Sequence, residues 1–187
     1  MIISINGPAG SGKSTIAKML AEKLGWTHYY VGGLFRDLAK KRGLTLLEYL
    51  KIGETDPAID TEPDKYQEEL GKKEDNFVIE GRTSWHFIPH SLKIYIDVGQ
   101  NIAAGRIFSD LQKNGSRNED AELRSVDDVL ESIKKRHASD IVRYDKYFGI
   151  DVFDHKNYDF VIDTSNLTKE ESFNKVYEFV KKKFTEK

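Results

Sequence analysis

Apolar residues fall along this chain in two alternating rhythms. Short runs rich in β-branched and aromatic side chains read as strands: Ile2 to Ile5, Thr27 to Tyr30, Asn76 to Glu80, Leu92 to Asp97 and Tyr158 to Asp163. Between them, apolar residues recur every three or four positions, which predicts helices. Ile16, Leu20 and Leu24 mark the first, with Gly25 as its stop. The Gly32-Gly33 pair then breaks the pattern, and Leu34 to Ala39 begin another helix. Thr45 to Ile52 form a short one, opened by a Thr45-x-x-Glu48 capping box. A polar helix starts at Asp56-Pro57 or Asp60 and runs toward Leu70. Ile102 to Leu111 and the charged stretch Val126 to Tyr147 supply two more. The last helix carries Phe173, Val176, Tyr177 and Val180 on one stripe. This alternation argues for a five-stranded parallel sheet with right-handed crossovers, a three-layer α/β/α domain.

One junction carries recognisable chemistry. Between the first strand and the first helix stands Gly7-Pro8-Ala9-Gly10-Ser11-Gly12-Lys13-Ser14-Thr15, a match to the phosphate-binding loop G-x-x-x-x-G-K-[ST]. The glycines let backbone N–H groups turn inward, and the helix N-terminus behind them favours anionic oxygens. Lys13 is expected to reach the β- and γ-phosphates of ATP, and the Ser14 hydroxyl to ligate Mg2+. The alternative, a glycine turn that merely links strand to helix, has the strand–loop–helix order against it.

Other candidates gather where strands end. The run into Glu80 is followed at once by Gly81-Arg82, which puts a carboxylate and a guanidinium at the carboxyl edge where open parallel sheets bind ligands. Glu80 is expected to act on Mg2+ through water, and Arg82 to clamp a phosphate; the plainer reading is a surface ion pair. Read alone, Arg36 fits a solvated surface charge better than a phosphate ligand. Asp60, Asp64 and Gln67 share one helix face, which by itself reads as a solvent-facing stripe. Arg136, Asp140 and Arg143 share another, so Asp140 can lie between two guanidinium groups. As an exposed ion pair that trio would add little stability; as a clamp over phosphates it would matter greatly.

Composition narrows the classes. With 187 residues, 39% hydrophobic and 32% charged, the chain is sized for one soluble domain. A net charge of −2 implies no general attraction to nucleic acid or membrane. The absence of cysteine excludes disulfides, thiolate metal sites and a cysteine nucleophile. No apolar run approaches a membrane span. Met1 leads straight into the first strand, so the expectation is a cytoplasmic chain without a signal peptide. The polar run Lys113 to Arg124 reads as a mobile loop rather than a domain boundary.

With these residues in view, the chain resembles the nucleoside monophosphate kinases, and among them the short archaeal-type cytidylate kinases. The likeness runs nearly end to end. It rests on Ile5 through Thr15, Gly32-Gly33-Leu34-Phe35-Arg36, Val78-Ile79-Glu80-Gly81-Arg82, Arg136 through Tyr144, Phe148-Gly149-Ile150-Asp151 and Asp159 through Ser165. The resemblance implies a P-loop kinase fold with a small monophosphate-binding insert near residues 34–72 and a lid near 109–143. It implies that Arg36, Gly81 and Arg82 hold the acceptor phosphate side. Arg106, Arg136 and Arg143, with Lys13, would surround the transferring phosphoryl group, and Asp140 would support the lid arginines. Asp60, Asp64 and Gln67 are then expected over the acceptor base, Asp64 contributing most. The implied reaction is phosphoryl transfer from MgATP to CMP or dCMP by a monomer whose partners are small-molecule nucleotides. Other acceptors on the same fold (UMP, AMP or a non-nucleotide alcohol) stay open, as does a nucleotide-binding regulatory module without turnover. Three departures stand out: Gly33 where many relatives carry aspartate, Tyr66 where they often carry arginine, and a longer segment from Ser109 to Ser125.

Overall fold

A computed structural model describes residues 1–114 and 123–186. Five parallel strands form one sheet: β1 (Ile2–Asn6), β2 (Thr27–Tyr30), β3 (Phe77–Glu80), β4 (Leu92–Asp97) and β5 (Phe160–Asp163), in the order β2-β3-β1-β4-β5. The strand registers pair Ile5 and Tyr30 each with Glu80, Asn6 with Tyr95, and Asp97 with Asp163. The polar ends of all five strands therefore stand on one edge. The chain leaves β1 toward one side of the sheet and later crosses to the other, so the carboxyl end of β1 is the switch point where a ligand crevice opens.

Both sheet faces are covered, which is why the strands read as nearly continuous apolar runs. On one face, α1 (Lys13–Leu24) and α8 (Lys169–Thr185) bury Ile16, Leu20, Val176 and Val180 against Ile3, Ile5, Val78 and Ile94. On the other lie α2 (Val31–Lys41), α3 (Leu46–Gly53) and α4 (Ala58–Lys73), which pack Phe35, Leu46, Tyr49, Ile59 and Leu70 around Phe77 and Ile79. Phe77 and Ile79 thus face one cluster and Val78 the other, the period of two expected of a strand. A third cluster joins α6 (Gln100–Asn114) to α7 (Val126–Phe148) through Ala103, Ile107, Val129 and Ile133, with Ala9 of the loop after β1 packed into it.

Local signals account for most boundaries. Gly25 caps α1 in the left-handed region, its N–H donating back to Ala21 and Glu22. Thr45 and Thr168 both close full capping boxes, with Glu48 and Glu171. Pro63 sits inside α4 and can offer no N–H to the Ile59 carbonyl, which the Tyr49 hydroxyl approaches at 3.5 Å instead.

The structure corrects several expectations. Gly32 and Gly33 do not break the chain: α2 begins at Val31 and contains both. Glycine costs about 1 kcal/mol in a helix, but burial of Val31, Phe35, Leu38 and Ala39 on one stripe outweighs it. A short helix, α5 (Ser84–Phe87), and a 3-10 turn at His155–Asn157 carry no period long enough to read. Of the run Lys113 to Arg124 expected as a loop, Lys113 and Asn114 belong to α6, and 115–122 lie outside the described residues.

Candidate active site

The loop after β1 is forced by sterics. A Cβ on Gly7 would stand 2.1 Å from the Ile96 carbonyl oxygen, and one on Gly10 would stand 2.7 Å from that of Ala103. Only glycine lets the loop pass this close to β4 and α6. Asn6, fully buried at the end of β1, locks its entry: Oδ1 accepts from Gly7 N at 2.7 Å, and Nδ2 donates to Val152 O at 2.9 Å and Arg82 O at 3.1 Å.

At the start of α1, Lys13 Nζ donates to Pro8 O at 3.2 Å. Burial, and then the nearby Arg82 guanidinium, push its ammonium down to about 7; Glu80 opposes, while Arg136 and Arg36 add to the depression. The group is poised to take up a proton and full charge when anionic oxygens arrive. Next to it, Ser14 Oγ donates to Glu80 Oε2 at 2.6 Å, and His28 Nε2 lies 3.0 Å from Glu80 Oε1. Glu80 is buried and does not pair with Arg82, so the surface ion-pair reading of these two is overturned.

Arg82 turns the other way. Its Nε donates to Asp140 Oδ2 at 2.7 Å and its Nη1 to the Gly7 carbonyl. The other oxygen of Asp140 accepts from Arg143 Nη2 at 3.0 Å, and Arg143 Nη1 reaches both oxygens of Asp60, at 2.8 and 3.1 Å. A continuous chain of charges, Asp60–Arg143–Asp140–Arg82, thus ties α4 through α7 to the phosphate loop. Burial raises Asp140, but Arg82 and Arg143 outweigh it and hold the carboxyl below its usual range. The sequence anticipates Arg136 and Arg143 around Asp140; the structure adds Arg82 and corrects the setting, since Asp140 is only 3% exposed.

Asp60, Asp64 and Gln67 are not a solvent-facing stripe. All three point inward from α4 and are buried. Gln67 Nε2 donates to Thr83 Oγ1 at 3.2 Å, and its Oε1 accepts from Ser84 Oγ at 2.7 Å. Burial lifts Asp60 to about 6, against the pull of Arg143, and lifts Asp64 to about 7 with help from Asp60.

Two clefts meet over the loop. The first is bordered by Lys13, Arg36, Arg82, Arg136 and Arg143, with Phe35, Leu46, Leu50 and Tyr144 as apolar wall and Gly81 and Thr83 at its floor. Arg36 is half-buried in this wall, not a solvated surface charge. Asp60 and Asp64 border a separate cleft with Phe87, Tyr147 and Phe148, and Gln67 reaches the first cleft through Thr83. The second cleft runs past Gly12, Thr15, Arg106, Thr164 and Lys169. There Arg106 Nη2 donates to Thr164 O at 2.7 Å, and the Thr164 hydroxyl lies 3.1 Å from Ser11 O.

Asn6, His28, Tyr30, Thr83 and Thr164 escape sequence reading. Asn6 leaves one trace, a polar residue ending a buried apolar strand directly before Gly7. The others are joined to the loop only by the fold.

A parallel sheet with a phosphate loop at its switch point and a cleft on either side defines a P-loop kinase fold. Solved structures agree: a shikimate kinase from Bacteroides thetaiotaomicron superposes with a TM-score of 0.63 at 13% identity, covering 97% of this chain and 98% of that one. The shikimate kinase from Acinetobacter baumannii in complex with shikimate gives 0.62 at 16% identity, covering 97% and 93%. At such identity the likeness is one of fold alone.

Sequence comparison is narrower, and residues 2–166 match the cytidylate kinase-like family. The chain is 39% identical over 170 residues to the cytidylate kinase of Natronomonas pharaonis, covering 90% of this chain and 83% of that protein. It is 36% identical over 172 residues to that of Methanothermobacter thermautotrophicus, covering 92% and 100%. The chain belongs to the cytidylate kinase-like family.

Proposed function

We propose that this protein transfers the γ-phosphoryl group of ATP to CMP or dCMP, releasing ADP and the nucleoside diphosphate. The observation that carries the reading is the first cleft, where Lys13, Arg36, Arg82 and Arg136 converge beside the phosphate loop. Such convergence of cations suits two phosphate groups that must approach although both are anionic. An oxygen of the acceptor phosphate attacks the γ-phosphorus as the bond to the β-phosphate oxygen breaks. No general base is needed, because the attacking oxygen is already ionised.

In this reading the backbone of Gly7 to Thr15 cradles the donor phosphates and Lys13 spans the β- and γ-groups. Arg106 borders the donor cleft, and Arg36, Gly81 and Arg82 take the acceptor phosphate. Arg136 supplies charge from α7. Arg143, held by Asp60 and Asp140, acts by fixing Asp140 and through it Arg82. Asp64 and Gln67 support the base side from behind Thr83. In the same reading residues 34–72 are the acceptor insert and 109–143 the lid, of which 115–122 lie outside the described residues; lid closure would exclude water from the phosphoryl group.

Mg2+ fits the donors at the foot of the loop. The Ser14 hydroxyl and Glu80 carboxylate are adjacent hard oxygens, Ser14 suited to direct ligation and Glu80 to holding a bound water. When bound there, the ion would supply charge neutralisation for the donor phosphates. The protein is read as a cytoplasmic monomer, and no helix among the described residues is long and apolar enough to cross a membrane.

The test is a coupled assay of ADP release with purified protein across CMP, dCMP, UMP, AMP and GMP. Turnover led by the cytosine nucleotides is expected. Turnover led by another acceptor moves the protein to a different small-molecule kinase. No turnover with any of them favours the regulatory module.

A further inference from the structure

The Arg36 guanidinium lies beside one aromatic ring, 5.7 Å from the ring centroid of Tyr30. Tyr30 ends β2 and caps α2, and its ring spans the first turn of that helix. A Cβ on Gly32 would stand 2.8 Å from Tyr30 Cε2, and one on Gly33 would stand 2.8 Å from Cδ1. Neither glycine is in the left-handed region, so the backbone does not require glycine at either position. Two adjacent glycines cost helix stability relative to alanine. What they make room for is the ring. At its far end the Tyr30 hydroxyl accepts from Arg36 Nη1, which also donates to the Gly32 carbonyl at 3.1 Å. Tyr30 is 41% exposed at the border of the first cleft, so core packing is not what holds it there. The charge it places is felt across that cleft, where Arg36 helps depress Lys13.

We propose that Tyr30, seated on Gly33, is a positioning residue that aims Arg36 at the acceptor's phosphate group. This rests on the reading of the first cleft as a nucleoside monophosphate site. Tyr30 acts through Arg36, so its effect belongs to ligands that carry a phosphate. Gly33 acts through Tyr30, so its effect exists only while the ring is present.

The experiment measures kcat and KM for CMP, and the inhibition constant of cytidine, which has the base and sugar but no phosphate. Tyr30→Phe is expected to raise KM for CMP about fivefold or more, a conservative figure for a partly exposed hydrogen bond to a charged group. The value of kcat stays within about twofold and cytidine inhibition is unchanged. Gly33→Ala displaces the ring and raises KM in the same direction. Added to Tyr30→Ala, Gly33→Ala changes KM by less than about twofold, because no ring is left to displace. An unchanged KM in Tyr30→Phe overturns the proposal. So does equal loss of CMP and cytidine binding, which would make the ring part of the cleft's shape. So does a Gly33→Ala effect that persists without the ring. A wild type inert toward every monophosphate defeats the functional reading itself, and is told apart because it appears before any variant is made.

Discussion

Replacing Asp140 with alanine separates the geometry seen here from a surface clamp. In the folded protein its two oxygens accept from Arg82 Nε at 2.7 Å and Arg143 Nη2 at 3.0 Å. Removing one partner of a buried pair costs about 3–5 kcal/mol, because the remaining charge stays desolvated. The two arginines do not suffer equally. Arg82 has a side chain 15% exposed and the Gly7 carbonyl as a second acceptor, so part of its charge can turn to water. Arg143 has no exposure and cannot, but it keeps both oxygens of Asp60. The low end of the range, about 3 kcal/mol, is therefore expected. At roughly 2–4 °C per kcal/mol for a chain of this size, the melting temperature should fall by about 6–12 °C. Calorimetry of wild type, Asp140→Ala and Asp140→Asn at neutral pH measures it, with the amide falling between because it retains an acceptor for one guanidinium. The sign of the pH dependence follows from Asp140 being held below its usual range. Its stabilisation is present above the ordinary carboxylate range and lost as pH falls through its folded value, so the variants lose less on acidification than wild type does. CMP turnover should fall as well, since Arg82 loses its anchor. A melting temperature within about 1 °C of wild type would falsify the buried-pair account.

Three further outcomes follow from the site. Lys13→Ala should lower turnover on the order of 10²-fold or more while keeping the melting temperature, since the change removes a cation from among Arg36, Arg82 and Arg136; wild-type turnover would remove Lys13 from the phosphate site. Because Lys13 is held down to about 7 by burial and the neighbouring guanidinium groups, nucleotide binding above that pH should take up a proton, seen as a buffer-dependent heat in titration calorimetry and absent from Lys13→Ala. Asp64, lifted to about 7, contributes stability that is full below the ordinary carboxylate pKa and lost as pH rises through its folded value; Asp64→Asn should remove that slope between about pH 4 and 7, and a variant with an unaltered pH profile would show that the carboxyl is ionised throughout.

Much of the fold was legible because its signals are local. Apolar β-branched runs and period-3.6 patterns locate all five strands and the longer helices, and the capping box at Thr45 comes from residues three apart, as does the one the structure adds at Thr168. What failed was short or contextual. Four residues from Ser84 to Phe87 hold too few turns to show a period. Gly32-Gly33 looked like punctuation because propensity is summed locally, whereas the burial that overrides it comes from β3 and α3. The phosphate loop was fully readable, since one continuous segment carries its glycines, its lysine and its hydroxyl.

The sequence by itself determined the order of elements, the phosphate loop and which side chains share a helix face. It could not say what covers a face, and there the tertiary structure decided. Asp60, Asp64 and Gln67 have the same spacing whether they meet water or Arg143 and Thr83; only the packing of α4 against the rest turned them inward. Arg82 and Asp140 lie 58 residues apart, and Asn6 and Val152 146 apart, with nothing in either segment that names its partner. Periodicity fixes direction relative to a helix or strand axis, but partnership is a property of two axes and the angle between them. That is why the loop could be read in the chain, and the charge chain that holds Arg82 beside it could not.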